Sequence, residues 1–305
     1  MQVLVTGGLG FIGSHLVDKL IEQNYNVVVL DGLKIGSNIA NSNVKAKYEI
    51  CDLADVNAVA DVLHKYQFDQ IYHLAAESHV DRAIANAQPF IDSNITGTLN
   101  LYKTIKLAQP KSKILLFSTD ELMGELEKGS FKEEDPTLPK NLYSMTKQAQ
   151  EAIVRSYFYS DNIQTITSRC SNIYGPRQQE KLLPTIIKSI QTNSSIPIYG
   201  DGMQVREWTH VSDAASGAIF VMNNGEIGQT YHIGSGIEKH NINVVKFVIQ
   251  EMQSSESLIK YVEDRKGHDK RYSLCVDKVN SMGWNAKVSF EEGVKQTIKW
   301  YQLLS

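Results

Sequence analysis

The chain has 305 residues, 42% of them hydrophobic, 21% charged and 9% aromatic. That composition excludes collagen-like, low-complexity and wholly disordered chains, and the length suits one or two domains of roughly 100–200 residues each. Lys plus Arg number 31 against 34 for Asp plus Glu, a net charge of −3, so no basic excess points to a nucleic-acid partner.

Met1 runs straight into Val3-Leu4-Val5 with no basic stretch or apolar signal core. No window reaches the ~20 apolar residues of a membrane span, so a cytoplasmic protein with no membrane partner is expected. Cys51, Cys170 and Cys275 are far apart and form no C-x-x-C pair, which suggests neither a disulfide framework nor a metal site.

Residues 2–6 read as a short strand. Residues 11–23 read as a helix on the spacing of Ile12, Leu16 and Leu20, and residues 27–30 as a second strand. Between the first strand and the helix lies Thr6-Gly7-Gly8-Leu9-Gly10-Phe11-Ile12-Gly13. Gly7, Gly10 and Gly13 permit a tight turn and bring backbone N–H groups close to a pyrophosphate, where the helix N-terminus adds partial positive charge. Asp31 ends the second strand, about twenty residues further on, where a carboxylate accepts from both ribose hydroxyls of NAD and repels the extra phosphate of NADP. No Arg lies beside it, although Lys34 is near.

The alternation continues through residues 46–50, 56–66, 70–74, 89–108 and 112–118. Strand–helix–strand repetition predicts an α/β, doubly wound parallel sheet of the Rossmann type with right-handed crossovers. Near-continuous apolar runs such as Ile114-Leu115-Leu116-Phe117 fit strands buried on both faces. Thr119, Asp120 and Glu121 follow that run, at the sheet edge where ligands bind. Two adjacent carboxylates in a partly dry cleft push their pKa values apart, which supplies an acid and a base together.

Residues 125–140 are polar, carry Pro136 and Pro139, and read as a surface loop placed to close over a substrate. A helix over 142–160 sets Tyr143 and Lys147 four residues apart on one face. There the ammonium is expected to favour the phenolate and lower the tyrosine pKa. A strand at 163–169, a loop at 171–184, a helix at 185–191 and a turn at 196–202 follow. The last hundred residues mix short strands and helices. The expected division is a cofactor domain over 1–170, with a later contribution from about 205–230, and a smaller mixed α/β substrate domain over 171–305.

Several motifs together resemble the extended short-chain dehydrogenase/reductases. They are the Thr6–Gly13 loop, Asp52-Leu53, His73-Leu74-Ala75-Ala76, Asn94 and the Tyr143/Lys147 pair. The string Ser118-Thr119-Asp120-Glu121-Leu122-Met123-Gly124 narrows the resemblance to the nucleotide-sugar 4,6-dehydratases, nearest the branch that acts on dTDP-glucose. Further matches are Glu77-Ser78-His79-Val80-Asp81-Arg82, Cys170-Ser171-Asn172, Lys181-Leu182, Arg206-Glu207-Trp208 and Asp264-Arg265 with Gly267-His268-Asp269.

The resemblance implies a tightly held NAD bound by Gly7, Gly10, Phe11, Ile12, Gly13, Asp31, Asp52, Leu53, Ala75, Ala76, Asn94, Tyr143 and Lys147. It implies a nucleotide-sugar bound by Ser78, His79, Thr119, Asn172, Lys181, Leu182, Arg206, Arg265 and His268, and no metal. It further implies a redox-neutral dehydration with Tyr143, Lys147 and Thr119 acting at C4, Glu121 as base at C5 and Asp120 as acid at C6. A homodimer through helices near 94–107 and 142–159, with Leu99, Ile105, Ile153 and Tyr157 outward, is also implied.

The chain departs from the pattern at Ala83, Met123, Leu142 and Lys266, and at Arg177-Gln178-Gln179. Smaller groups at Ala83 and Met123 are expected to make room at C2 of the sugar, so UDP-N-acetylglucosamine competes with dTDP-glucose, and UDP-glucose less so. Two rivals remain. One is a 4-epimerase or decarboxylase on the same fold, against which Asp120 argues. The other is a dinucleotide-sensing binding protein without turnover, against which the complete set Thr119, Asp120, Glu121, Tyr143 and Lys147 argues.

Overall fold

The structure is a computed structural model and describes residues 1–264 and 269–304. Six strands come first: β1 (Gln2–Thr6), β2 (Asn26–Asp31), β3 (Lys47–Ile50), β4 (Gln70–His73), β5 (Lys113–Thr119) and β6 (Thr165–Cys170). Then follow β7 (Asn172–Tyr174), β8 (Ile196–Tyr199), β9 (Val205–His210), β10 (Thr230–Ile233), β11 (Glu238–His240) and β12 (Ile259–Val262).

Seven of these form one parallel sheet in the order β3-β2-β1-β4-β5-β6-β10. The chain turns one way from β1 to β2 and later the other way to β4, so a crevice opens between β1 and β4 at their carboxyl ends. Side-chain alternation divides the sheet between two cores. Val3 and Val5 face the helices Phe11–Glu22 and Val211–Asn224. Leu4 faces Val56–Lys65, Gly97–Ala108 and Leu142–Asp161. Covering both faces buries Ile114, Leu115 and Leu116 completely, which accounts for their unbroken apolar run.

The helix Val211–Asn224 packs on the large sheet, and β10 pairs with β6 at its edge. Small sheets β11-β9-β7 and β12-β8 lie over a separate core of Leu183, Ile186, Trp208, Val245 and Phe290. The expected turn at 196–202 is in part a strand. Ile196 and Ile198 point inward and Pro197 and Tyr199 outward, a period of two that only four residues carry before Gly200. The expected loop at 171–184 contains β7, and its last residues open the helix Leu182–Gln191. Pro184 sits in that helix's first turn, where a missing N–H costs nothing.

The segment 89–108 is helical throughout, with a π turn at Ile91–Thr96 before Gly97–Ala108. Ile105, expected on the outward face, is fully buried in the subunit's own core, whereas Leu99 is exposed. Ile153 is partly buried, and Tyr157 packs at 5.6 Å on Tyr102. Among the described residues no helix is long and apolar enough to cross a membrane.

Candidate active site

The glycine loop is built by close approach. A Cβ on Gly7, whose φ is +72°, would stand 2.9 Å from the Ala75 backbone, and one on Gly13 would stand 2.1 Å from the Gly7 oxygen. Glycine at these two positions therefore lets β1, the 74–76 segment and the helix Phe11–Glu22 converge. The helix N-terminus opens on a cleft of about 870 Å³, whose wall includes Gly7, Gly10, Phe11, Ile12 and Gly13. Asp31, Asp52, Leu53, Ala75 and Ala76 continue that wall.

Asp31 is buried. Its Oδ2 accepts from Leu9 N at 2.9 Å, and its Oδ1 accepts from Leu33 N at 2.9 Å and Ser37 Oγ at 2.7 Å. A carboxylate offers about four acceptor positions. Asp31 thus holds its own loop and keeps one position for a ribose hydroxyl, where two were expected. Asp52 is paired with Lys34 at 2.9 Å. A helix N-terminus, a Cβ-free cradle and an acidic residue at the end of β2 together fit a dinucleotide.

The helix Leu142–Asp161 starts at a capping box. Ser144 N donates to Asn141 Oδ1 at 2.9 Å, and Asn141 N donates to Ser144 Oγ at 3.3 Å. This fixes Tyr143 in the first turn and Lys147 one turn on, both on the cleft wall. Facing them is the end of β5. Thr119 Oγ1 donates to Asp120 Oδ1 at 3.3 Å and accepts from Glu121 N at 3.3 Å.

Asp120 is buried, and its Oδ2 has no partner. Burial, with the charges of Glu121 and Glu207, pushes its pKa up to about 8. A neutral carboxylic acid beside a second carboxylate is the arrangement that the adjacent pair suggested. Glu121 lies 3.9 Å from Lys181, which reaches it across the cleft.

Tyr143 does not behave as expected. Burial, then the charge of Glu121, raises its pKa, and a Thr119 hydrogen bond opposes the rise only in part. Lys147 Nζ donates to Phe117 O at 2.8 Å and to Gln150 Oε1. Burial pulls Lys147 down to about 8 while Glu151 opposes.

Ser78, His79, Asn172, Lys181, Leu182 and Arg206 all stand on the same wall. Arg206 lies 4.4 Å over the Tyr272 ring and donates to Val205 O, Asp269 O and Lys270 O, leaving part of its fork for an anion. Arg265 and His268 lie outside the described residues. Asn94 is behind the wall. Its Oδ1 accepts from Glu77 N at 2.8 Å, and its Nδ2 donates to Glu77 O at 3.0 Å and Thr146 Oγ1 at 2.8 Å. It ties the 75–77 segment to the Tyr143 helix and does not face a ligand.

Ala83 and Met123 are also off the wall. Ala83 packs with Phe90 and Tyr143. Met123 packs with Leu274 and Phe131, and its Sδ accepts from Arg169 at 3.1 Å. Neither makes room for a sugar substituent.

The 125–140 loop is anchored, not free to swing. Phe131 N donates to Ser273 O at 2.9 Å, Cys275 N donates to Phe131 O at 2.7 Å, and Arg169 donates to Glu133 O at 3.1 Å. Of this loop only Lys140 reaches the cleft. The wall also holds Gln204, Asn241 and Tyr272, which no motif had marked. Among the described residues no cluster of His, Cys, Asp and Glu could hold a metal ion.

Residues 4–297 match the family model described as GDP-mannose 4,6 dehydratase. The low-salt glycan biosynthesis protein Agl12 of Haloferax volcanii is 39% identical over 99% of this chain and 98% of its own. Among solved structures, DesIV, a dTDP-glucose 4,6-dehydratase from Streptomyces venezuelae with NAD bound, superposes with a TM-score of 0.95 at 36% identity, covering 99% of this chain and 97% of that one. A UDP-glucose 4-epimerase from Thermus thermophilus in complex with NAD superposes at 0.94 with 27% identity, covering 99% of each chain.

Proposed function

The chain belongs to the GDP-mannose 4,6 dehydratase family of short-chain dehydrogenase/reductases, and from that premise we propose that it is an NAD-dependent nucleotide-sugar 4,6-dehydratase. We further propose dTDP-glucose as its first candidate substrate. The fold alone is shared with epimerases. The observation that carries the reading is Asp120, a buried carboxyl held neutral beside Glu121 at the end of β5. Epimerisation needs no acid at C6, and dehydration does.

Gly7, Gly10, Gly13 and the helix N-terminus would hold the pyrophosphate of NAD, and Asp31 a ribose hydroxyl. Bound there, NAD⁺ would supply the hydride acceptor for C4 and, once reduced, the donor for C6, and its positive charge would favour the Tyr143 phenolate that burial disfavours. Tyr143, hydrogen-bonded by Thr119, takes the proton of the 4-hydroxyl as C4 becomes a ketone. The ketone acidifies C5–H, and Glu121 removes that proton. The C6–O bond breaks as Asp120 donates its proton, and water leaves. C6 takes the returning hydride, Glu121 gives C5 a proton after exchange with solvent, and the product is the 4-keto-6-deoxy sugar still attached to its nucleotide.

Lys181 and Arg206 lie where they would meet the diphosphate. We also read residues 1–170 with the Val211–Asn224 helix and β10 as the cofactor domain and the rest as the substrate domain. A cytoplasmic homodimer through the helices carrying Leu99 and Ile153 completes the reading.

Incubation with dTDP-glucose, UDP-glucose and UDP-N-acetylglucosamine separately in D₂O, followed by mass spectrometry, tests it. Loss of one water with one deuterium at C5 and no net NADH is expected, fastest with dTDP-glucose. Inversion at C4 with the C6 hydroxyl retained would make it an epimerase, and tight NAD without turnover would make it a binding protein.

A further inference from the structure

Behind Lys147 lies a polar chain that the catalytic scheme does not use. Gln150, Thr98 and Thr6 are wholly buried, and His73 is nearly so. Gln150 is three residues after Lys147, on the same helix face. Its Oε1 accepts from Lys147 Nζ. Its Nε2 donates to Thr98 Oγ1 at 2.7 Å. Thr98 Oγ1 in turn donates to Asn94 O at 2.7 Å, so its hydrogen is spent and it can only accept from its other neighbours.

His73 Nε2 stands 2.9 Å from that same oxygen and 3.2 Å from Gln150 Nε2. His73 Nδ1 stands 2.8 Å from Thr6 Oγ1. Thr6 Oγ1 accepts from Ala75 N at 3.2 Å, on the cleft wall beside Gly7. A neutral ring, with hydrogen on either nitrogen, fits these contacts.

We propose that Gln150 is a positioning residue for the Lys147 ammonium, kept in register by neutral His73 through a chain that ends at Ala75. This rests on the reading of Tyr143 and Lys147 as the reacting pair. An ammonium has three N–H donors. Phe117 O and Gln150 Oε1 take two, which leaves the third on a side chain that lines the cleft. The chain also ties Lys147 to the 74–76 segment that packs on the glycine loop, so one network sets the pair and the dinucleotide seat. The titratable groups around Lys147 are Glu151 on its own helix, Cys170 on β6 and His73 on β4, and Asp120 acts on Cys170. Burial drives His73 down to about 3, in keeping with its neutral form.

The test compares Gln150→Met and Gln150→Glu with the wild type in the NAD-loaded protein. Lys147 is read by ¹³Cε-lysine NMR and His73 by ¹⁵N-imidazole NMR. Methionine removes the acceptor, so the Lys147 titration is expected to fall by about one unit. Glutamate keeps an acceptor and adds charge, so the titration should rise. In Gln150→Met, kcat should drop about tenfold with KM for the sugar nucleotide little changed, and Gln150→Glu should recover part of it. A packing role alone would move both variants the same way.

An unchanged Lys147 titration in both variants, or a His73 ring that is protonated on both nitrogens at pH 7, overturns the proposal. Should Gln150→Met not fold, the rise in Gln150→Glu and the neutral His73 of the wild type decide it. If the wild type turns over none of the sugar nucleotides, the functional reading fails, and the NMR readouts still decide the network.

Discussion

Replacing Asp120 by Asn should cost the enzyme its dehydration step and make the protein more stable. The folded carboxyl titrates near 8 against an ordinary value of 3.8, because burial and the charges of Glu121 and Glu207 oppose its ionisation. Between those two pH values the folded protein holds a proton that the unfolded chain has released. Stability therefore falls as pH rises, by about 1.4 kcal/mol per unit, and the loss is complete once pH passes the folded value. By pH 7 the span from 3.8 amounts to as much as about 4 kcal/mol. Asparagine cannot ionise and escapes that loss, and its second polar atom replaces one that already has no partner. Urea midpoints of both proteins at pH 4, 5.5, 7 and 8 should show a gap that is near zero at pH 4 and widens to pH 8. A gap that stays constant with pH, or an Asn variant less stable at pH 7, would refute the account of Asp120 as a buried neutral acid.

Three further outcomes follow from the same geometry. Glu121→Gln should still oxidise C4, seen as transient NADH absorbance, but place no solvent deuterium at C5; full dehydration by that variant would move the base elsewhere. Gly13→Ala puts a Cβ 2.1 Å from the Gly7 oxygen, so the variant should lose bound dinucleotide and about 1–3 kcal/mol of stability by overpacking, measured by NAD content and denaturation. Turnover should fall above pH 8, because Asp120 and Lys147 both lose their working proton near that value, Asp120 from a pKa raised by burial and Lys147 from one lowered by it; a kcat flat to pH 9.5 would contradict both.

Much of the fold is legible in the chain because its signals are local. The periods of two and 3.6 in the first 170 residues mark β1 to β6 and their helices to within a residue or two. The parallel order follows from the alternation. The strands β7 and β8 escape notice because three or four residues are too few to show a period, and their pairing partners β9 and β12 lie tens of residues away. In the site, motif residues are found wherever a backbone feature forces the residue type, as at Gly13 or at the end of β5. Electrostatics are less legible. The Tyr143/Lys147 spacing suggests a lowered phenol pKa, but burial of the phenol and the charge of Glu121 reverse the direction. Gln150 itself sits in an ordinary amphipathic pattern, and nothing local distinguishes it from a surface glutamine.

The departures at Ala83 and Met123 show how a difference in a motif can be misread as a difference in substrate. Both stand one layer behind the wall. Ala83 fills the space against Phe90 and the back of Tyr143, so a change there alters how the phenol is supported. Met123 offers its sulfur to Arg169, whose other donors form a buried pair with Glu151 at 2.8 and 3.1 Å and hold the Glu133 carbonyl. A phenol at 123 would have to replace an acceptor for a guanidinium that keeps its pair with Glu151, and leaving one buried donor unmet costs about 1–3 kcal/mol. The identity of residue 123 is thus tied to Arg169 and the 125–140 loop. Residues that do face the cleft include Gln178 to Leu182 and Pro197, Ile198, Tyr199, Gln204 and Arg206. The Arg177-Gln178-Gln179 and Leu142 departures both stand on that wall, so among the described residues these are the departures positioned to change what the cleft holds.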